Sequence, residues 1–102
     1  MNTRQIQKMI ADTKSKMTDA ELFGSRSYQA YLQKIVDNVS GKYGRGAKVQ
    51  LSYDPENDSI GCTDSNKIFI NMANSLTSSL STKELKNLSG IGIIGHECGH
   101  IL

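Results

Sequence analysis

Between Lys48 and Asn71 the apolar residues change their spacing, and that change limits the folds open to this chain. In "KVQLSYD" Val49, Leu51 and Tyr53 alternate with polar partners, and in "KIFIN" Ile68 and Ile70 share one face. A period of two is the signature of a half-buried strand. "SIGCT" supplies another short strand, and "PEND" and "DSN" between the runs are turn sequences. Three strands joined by two turns predict a three-stranded antiparallel meander.

On either side the spacing is helical. From Thr3, the residues Ile6, Met9, Ile10 and Met17 recur at helical intervals, and Thr18 with Glu21 forms a capping-box pattern before Gly24 breaks the chain. A second helix from about Ser25 carries Tyr28, Tyr31, Leu32, Ile35, Val36 and Val39 on one stripe. It closes in glycine-rich "SGKYGRGAK". Lys42, Arg45 and Lys48 there have the chemistry to hold a phosphate, but a helix C-terminus and loop account for them more simply. Downstream, "STKE" reads as a capping box opening a last helix, with Leu85, Leu88, Ile91, Ile94, Cys98 and Ile101 as its expected buried stripe. Gly90, Gly92, Gly95 and Gly99 each cost about 1 kcal/mol relative to alanine in a helix. Close packing of that helix on the sheet is the expected reason for them. The fold class is therefore α+β: two N-terminal helices, the meander, and a C-terminal helix.

At 102 residues the chain is expected to form one domain with one modest core. A net charge of +2 gives no electrostatic case for nucleic acid, and the absence of tryptophan gives no stacking platform. "MNTRQIQKMI" lacks an apolar run of signal-peptide length and nothing reaches a membrane span, so a cytoplasmic protein without membrane contact is expected. Cys62 and Cys98 are expected to be buried thiols rather than a structural bridge.

The chain's only two histidines fall in "GHECGHIL", four residues apart, with Glu97 directly after His96. Residues at i and i+4 share a helical face, so His96 and His100 suit two neighbouring positions around Zn²⁺. Glu97, about 100° around the helix from His96, is placed to act as general base. Chance gives this arrangement roughly once in a thousand such compositions, which favours a metal site over a capping or surface role. On the same helix Cys98 projects away from both imidazoles.

With "KIFIN" leading through a short connection to this helix, residues 47–102 resemble the core of an HExxH zincin metallopeptidase. They are similar, more narrowly, to the metallopeptidase-like region preceding von Willebrand factor A-type domains in some bacterial proteins. The resemblance implies Zn²⁺ as cofactor, His96 and His100 as its ligands, and Glu97 taking a proton from the attacking water. It also implies that Lys67, Ile68, Phe69, Ile70 and Asn71 form the edge strand that binds an extended peptide. The partner would be a peptide or protein substrate. Zincins usually take a third ligand from beyond the motif helix, and three alternatives address it. The chain is the N-terminal portion or a truncated form of a longer enzyme; or an upstream acid, Asp64 or Glu56, serves instead. Or the scaffold is a catalytically inactive binding module, an inhibitor or regulator such as a mobile-element anti-defence (anti-CRISPR-type) protein. In that last case exposed residues such as Tyr43, Arg45, Lys48, Lys67 and Phe69 would carry recognition.

Overall fold

A computed structural model describes residues 2–12, 14, 16–40, 47–57, 59–64 and 66–101, with the backbone alone for residues 39, 40 and 98–101. Five helices and three strands follow in the order α1 (Thr3–Ala11), α2 (Asp19–Phe23), α3 (Arg26–Ser40), β1 (Lys48–Ser52), β2 (Gly61–Asp64), β3 (Lys67–Asn71), α4 (Ser75–Ser78) and α5 (Lys83–Ile101). The class is α+β. Among the described residues no helix is long and apolar enough to cross a membrane.

The first expected helix is shorter than its apolar spacing suggested. Asn2 and Gln5 cap α1 reciprocally, and the helix stops at Ala11, where Asp12 accepts from the Lys14 N–H (2.9 Å). Met17 lies outside any helix yet packs against the core. The Thr18 and Glu21 capping box is present and opens a separate five-residue helix, α2. The N-terminal part therefore holds three helices rather than two. Tyr28, Leu32 and Val36 of α3 are fully buried, on the stripe their spacing predicted.

The sheet departs from a meander. Its order is β1-β3-β2, with β1 parallel to β3 and β2 antiparallel to it. A short turn makes β2 and β3 a local hairpin, whereas the longer connection at 53–60 lets the chain step over one strand position. The slot it leaves is filled by β3, whose Ile68 and Ile70 are the most deeply buried strand residues. The most apolar strand takes the centre because both its neighbours then shield it. Asn71 locks this arrangement: its Nδ2 donates to the Asp54 (3.0 Å) and Asn57 (2.8 Å) carbonyls, and its Oδ1 accepts from Asp54 N–H (2.9 Å).

Helices α3 and α5 cover one face of the sheet, and the core between them includes Ile6, Leu22, Phe23, Tyr28, Ile70, Met72 and Ile94. At its start α5 is capped by Thr82, whose hydroxyl accepts from Leu85 N–H (3.1 Å), one residue later than the "STKE" pattern placed the cap. Lys86 is ion-paired to Asp19 of α2, and Lys83 approaches the same carboxylate at 3.9 Å.

Candidate functional site

The position of the HExxH helix follows from what it buries. Asn87, Gly90, Ile94 and Glu97 form the inward stripe of α5, while Leu85 and Leu88 are 44% and 62% exposed. The stripe expected from apolar residues is thus rotated: Ile94 belongs to it, Ile91 is half-buried, and the two leucines face outward. Cys98 and Ile101 have side chains outside the described residues. Rotation of the helix in this sense turns Glu97 toward β2 and leaves His96 exposed.

Glu97 is 8% exposed, and the Thr63 hydroxyl of β2 donates to its Oε2. The same hydroxyl oxygen lies 3.3 Å from the Glu97 carbonyl. A buried carboxylate requires such a donor, because its desolvation is otherwise uncompensated. Thr63 was not singled out in the sequence; strand alternation with Gly61, facing α5, is the signal that would have found it.

His96 and Glu97 line a cleft of about 450 Å³ whose other walls are Ile60, Gly61, Leu76, Ser89, Gly92 and Ile93. That size falls in the range of roughly 300–1,000 Å³ usual for ligand sites. His100 follows one turn later in the same continuous helix, with its side chain outside the described residues. The residue types His96 and His100, four apart on one helix, suit a borderline metal such as Zn²⁺, while Glu97 is a carboxylate held by Thr63 beside them. Asp64 is exposed on the face of β2 opposite Thr63, and Glu56 sits exposed in the turn after β1. Among the described residues no three His, Cys, Asp or Glu side chains form a metal-binding group.

The expected peptide edge is not where "KIFIN" lies. Residues Lys67, Ile68, Phe69, Ile70 and Asn71 are the central strand, paired on both sides, so they offer no free edge. Ile68 and Ile70 are core residues, Asn71 is buried in the turn network, Phe69 is half-buried on the outer face, and Lys67 is exposed. Of the two real edges, β1 is closed by α3. Gln33 Oε1 accepts from Val49 N–H (2.8 Å), Gln33 Nε2 donates to the Ala47 carbonyl (2.8 Å), and Gln29 Oε1 accepts from Leu51 N–H (2.9 Å).

Among the described residues the β2 edge is the open one. The Asn71 N–H bonds to the Ile60 carbonyl (3.0 Å), which sets the phase of the ladder. Backbone groups alternate in an antiparallel pair, so those of Cys62 and Asp64 face β3 and those of Gly61 and Thr63 face outward. Among the described residues these outward groups have no partner. Cys62, expected to be buried, is an exposed free thiol because its position in β2 faces away from the helices. Lys48 is exposed at the start of β1, and Lys42, Tyr43 and Arg45 lie outside the described residues.

The sequence matches no family model, no curated protein and no solved structure.

Proposed function

We propose that this chain is the helix-and-sheet core of a zinc-dependent peptidase that hydrolyses an extended peptide laid along β2. The observation that carries this reading is the convergence of three features on one cleft. They are the HExxH turn of α5, the Thr63-held carboxylate of Glu97, and the open edge of β2.

The outward N–H and C=O groups of Gly61 and Thr63 pair with the peptide backbone and hold it extended beside α5. His96 and His100 are the residues that would hold Zn²⁺, with a third ligand from outside the described residues. When bound, the metal supplies Lewis-acid polarisation of the peptide carbonyl and acidifies water. Glu97 keeps Oε2 engaged by Thr63, which fixes the carboxylate and leaves Oε1 to accept the proton of the attacking water. That proton then passes to the amide nitrogen as the C–N bond breaks, so one water is added across the bond.

Elemental analysis of protein purified with zinc should find close to one metal per chain, and His96→Ala or His100→Ala should lose it. Glu97→Gln should retain zinc while cleavage of a casein-derived peptide mixture falls roughly 10²–10⁴-fold. Metal content near zero, together with undiminished partner capture by a His96→Ala, Glu97→Ala, His100→Ala triple variant, is the outcome of the inactive binding-module reading and overturns this one.

A further inference from the structure

Natural sheets blunt their edges with lysine, proline, a bulge or a covering element, because an unprotected edge pairs with other chains. The β1 edge has its cover in Gln29 and Gln33. Along Gly61, Cys62 and Thr63 of β2 none of these devices is present among the described residues, and the strand's charge, Asp64, stands at its end. The backbone groups of Gly61 and Thr63 point away from β3, because Cys62 and Asp64 take the ladder bonds to Phe69 and Lys67.

That pattern is self-complementary. In antiparallel strands, opposed residues whose groups face each other exchange both hydrogen bonds, so an outward residue of β2 pairs with an outward residue of its neighbour. Setting β2 against a second copy of itself, with Gly61 opposite Thr63, satisfies the outward groups of the strand on both copies. Shifting the register by two residues in either direction brings position 59 or 65, outside β2, into one of the pairs. In the first register a twofold axis passes between the two copies of Cys62. They form the pair that shares no hydrogen bonds, where Cα atoms lie about 4.5 Å apart and side chains are closest. The outer face suits this contact: Cys62 is exposed with a free thiol, and half-buried Phe69 stands beside it on β3. Like charges do not meet, since Asp64 falls opposite position 60. On the helix side Gly61 sets no side chain against Thr63, whose hydroxyl stays with Glu97.

We propose that the β2 edge docks a second copy of this chain, antiparallel and with Cys62 on the twofold axis. The two sheets become one, in the order β1-β3-β2-β2-β3-β1. The row of Phe69 and Cys62 on the outer face continues across the axis into the same row of the second copy. This interface uses no group of the HExxH turn, so it stands apart from the peptidase reading. The two meet at the strand edge. There the second copy takes the bonds that an extended peptide would take, and the dimer is the form closed to substrate. Thiols at the Cys62 spacing suit a disulfide, whose Cα atoms are about 4.4–6.8 Å apart. Exchange with a low-molecular-weight disulfide locks the pair: one S–S bond forms between the chains, the small molecule's breaks, and it leaves as two thiols carrying the electrons and protons.

Three measurements on the whole chain test the pairing. In reducing buffer, sedimentation equilibrium should show monomer and dimer, with the same constant for Cys62→Ser. Cys62→Lys sets two ammonium groups against each other across the axis and should weaken the dimer about fivefold or more. Hydrogen exchange at Gly61 and Thr63 should slow as concentration rises, while Val49 and Leu51, already bonded to the glutamines of α3, stay constant. With oxidised glutathione, peptide mapping should find Cys62 joined to Cys62. In a Cys62→Ser, Asp64→Cys chain the two thiols stand out of register by about 14 Å along the strands. That chain should link at least about tenfold more slowly. Positions 62 and 64 are both exposed, and thermal melts verify that the variants fold. A chain that stays monomeric at millimolar concentration overturns the proposal, as does a dimer that leaves exchange at Gly61 and Thr63 unchanged. Position 64 linking as fast as position 62 overturns it too, by reducing Cys62 to an exposed thiol that oxidises on collision. None of these measurements reads cleavage, so the peptidase reading stands or falls separately.

Discussion

Asn87 and Glu97 are both buried on α5, and each is held by a hydroxyl from another element. Glu97 accepts from Thr63; Asn87 Oδ1 accepts from Tyr28 Oη at 2.7 Å, and Asn87 Nδ2 donates to Tyr31 Oη at 3.3 Å. Polar groups this deep need partners, so these pairs set the rotation of the helix as firmly as apolar contacts do. Burial, with a smaller contribution from Tyr31, raises the Tyr28 phenol well above its ordinary 10.0. The folded state therefore keeps a proton that the unfolded chain releases. The stabilisation is complete below about pH 10 and is lost as pH rises beyond it. Urea midpoints should fall between pH 8 and pH 10.5, and Tyr28→Phe should flatten that fall. The same variant should cost about 1–3 kcal/mol at pH 8, because Asn87 Oδ1 is left buried without its donor.

Helix α5 shows how far apolar spacing can be trusted. Its existence, its start near Thr82 and its HExxH turn were all readable, because capping chemistry and the i, i+4 relation are local. Its buried face was not, because that face consists of Asn87, Gly90, Ile94 and Glu97, only one of which is a large apolar residue. Leucines counted as core turned out to be surface. The glycines divide accordingly. Gly92→Ala and Gly95→Ala, with nothing within 4 Å of either Cβ, should each stabilise by about 1 kcal/mol. Their melting temperatures should rise by roughly 4–8 °C. Gly90→Ala should lower it, since the added methyl would stand 2.8 Å from Met72 Sδ. A rise for Gly90→Ala in a calorimetric melt would contradict the packing described for that position.

Across the molecule, the two edges of the sheet differ. One edge is sealed by two glutamines of α3 that substitute for a fourth strand; the other, among the described residues, is open beside the candidate site. Sealing an edge with side chains prevents a second chain from pairing there. Gln33→Ala removes the acceptor for Val49 N–H and the donor to the Ala47 carbonyl. It should destabilise the fold by about 1–3 kcal/mol and increase self-association in light scattering. Gln50→Ala, on the exposed face of β1, should stay within about 0.5 kcal/mol of the parent protein.

Local chemistry was enough to place the strands, most of the caps, and the pairing of His96 with His100 on one helix face. Period, turn residues and hydrogen-bonding side chains act over a few positions, and a chain carries them whatever its final topology. The order of the strands was beyond that reach. "KIFIN" as an edge and "KIFIN" as a centre have the same alternation, and choosing between them depends on which strand gains most from being covered twice. That comparison involves β1, β2, β3 and the glutamines of α3 at once. The same holds for the site: His96 and Glu97 announce themselves, but Thr63, Gly92, Ile60 and Leu76 become members only when α4 and β2 fold against α5. Contacts between residues 34 positions apart in sequence, such as Thr63 with Glu97, leave no mark on the spacing of either segment.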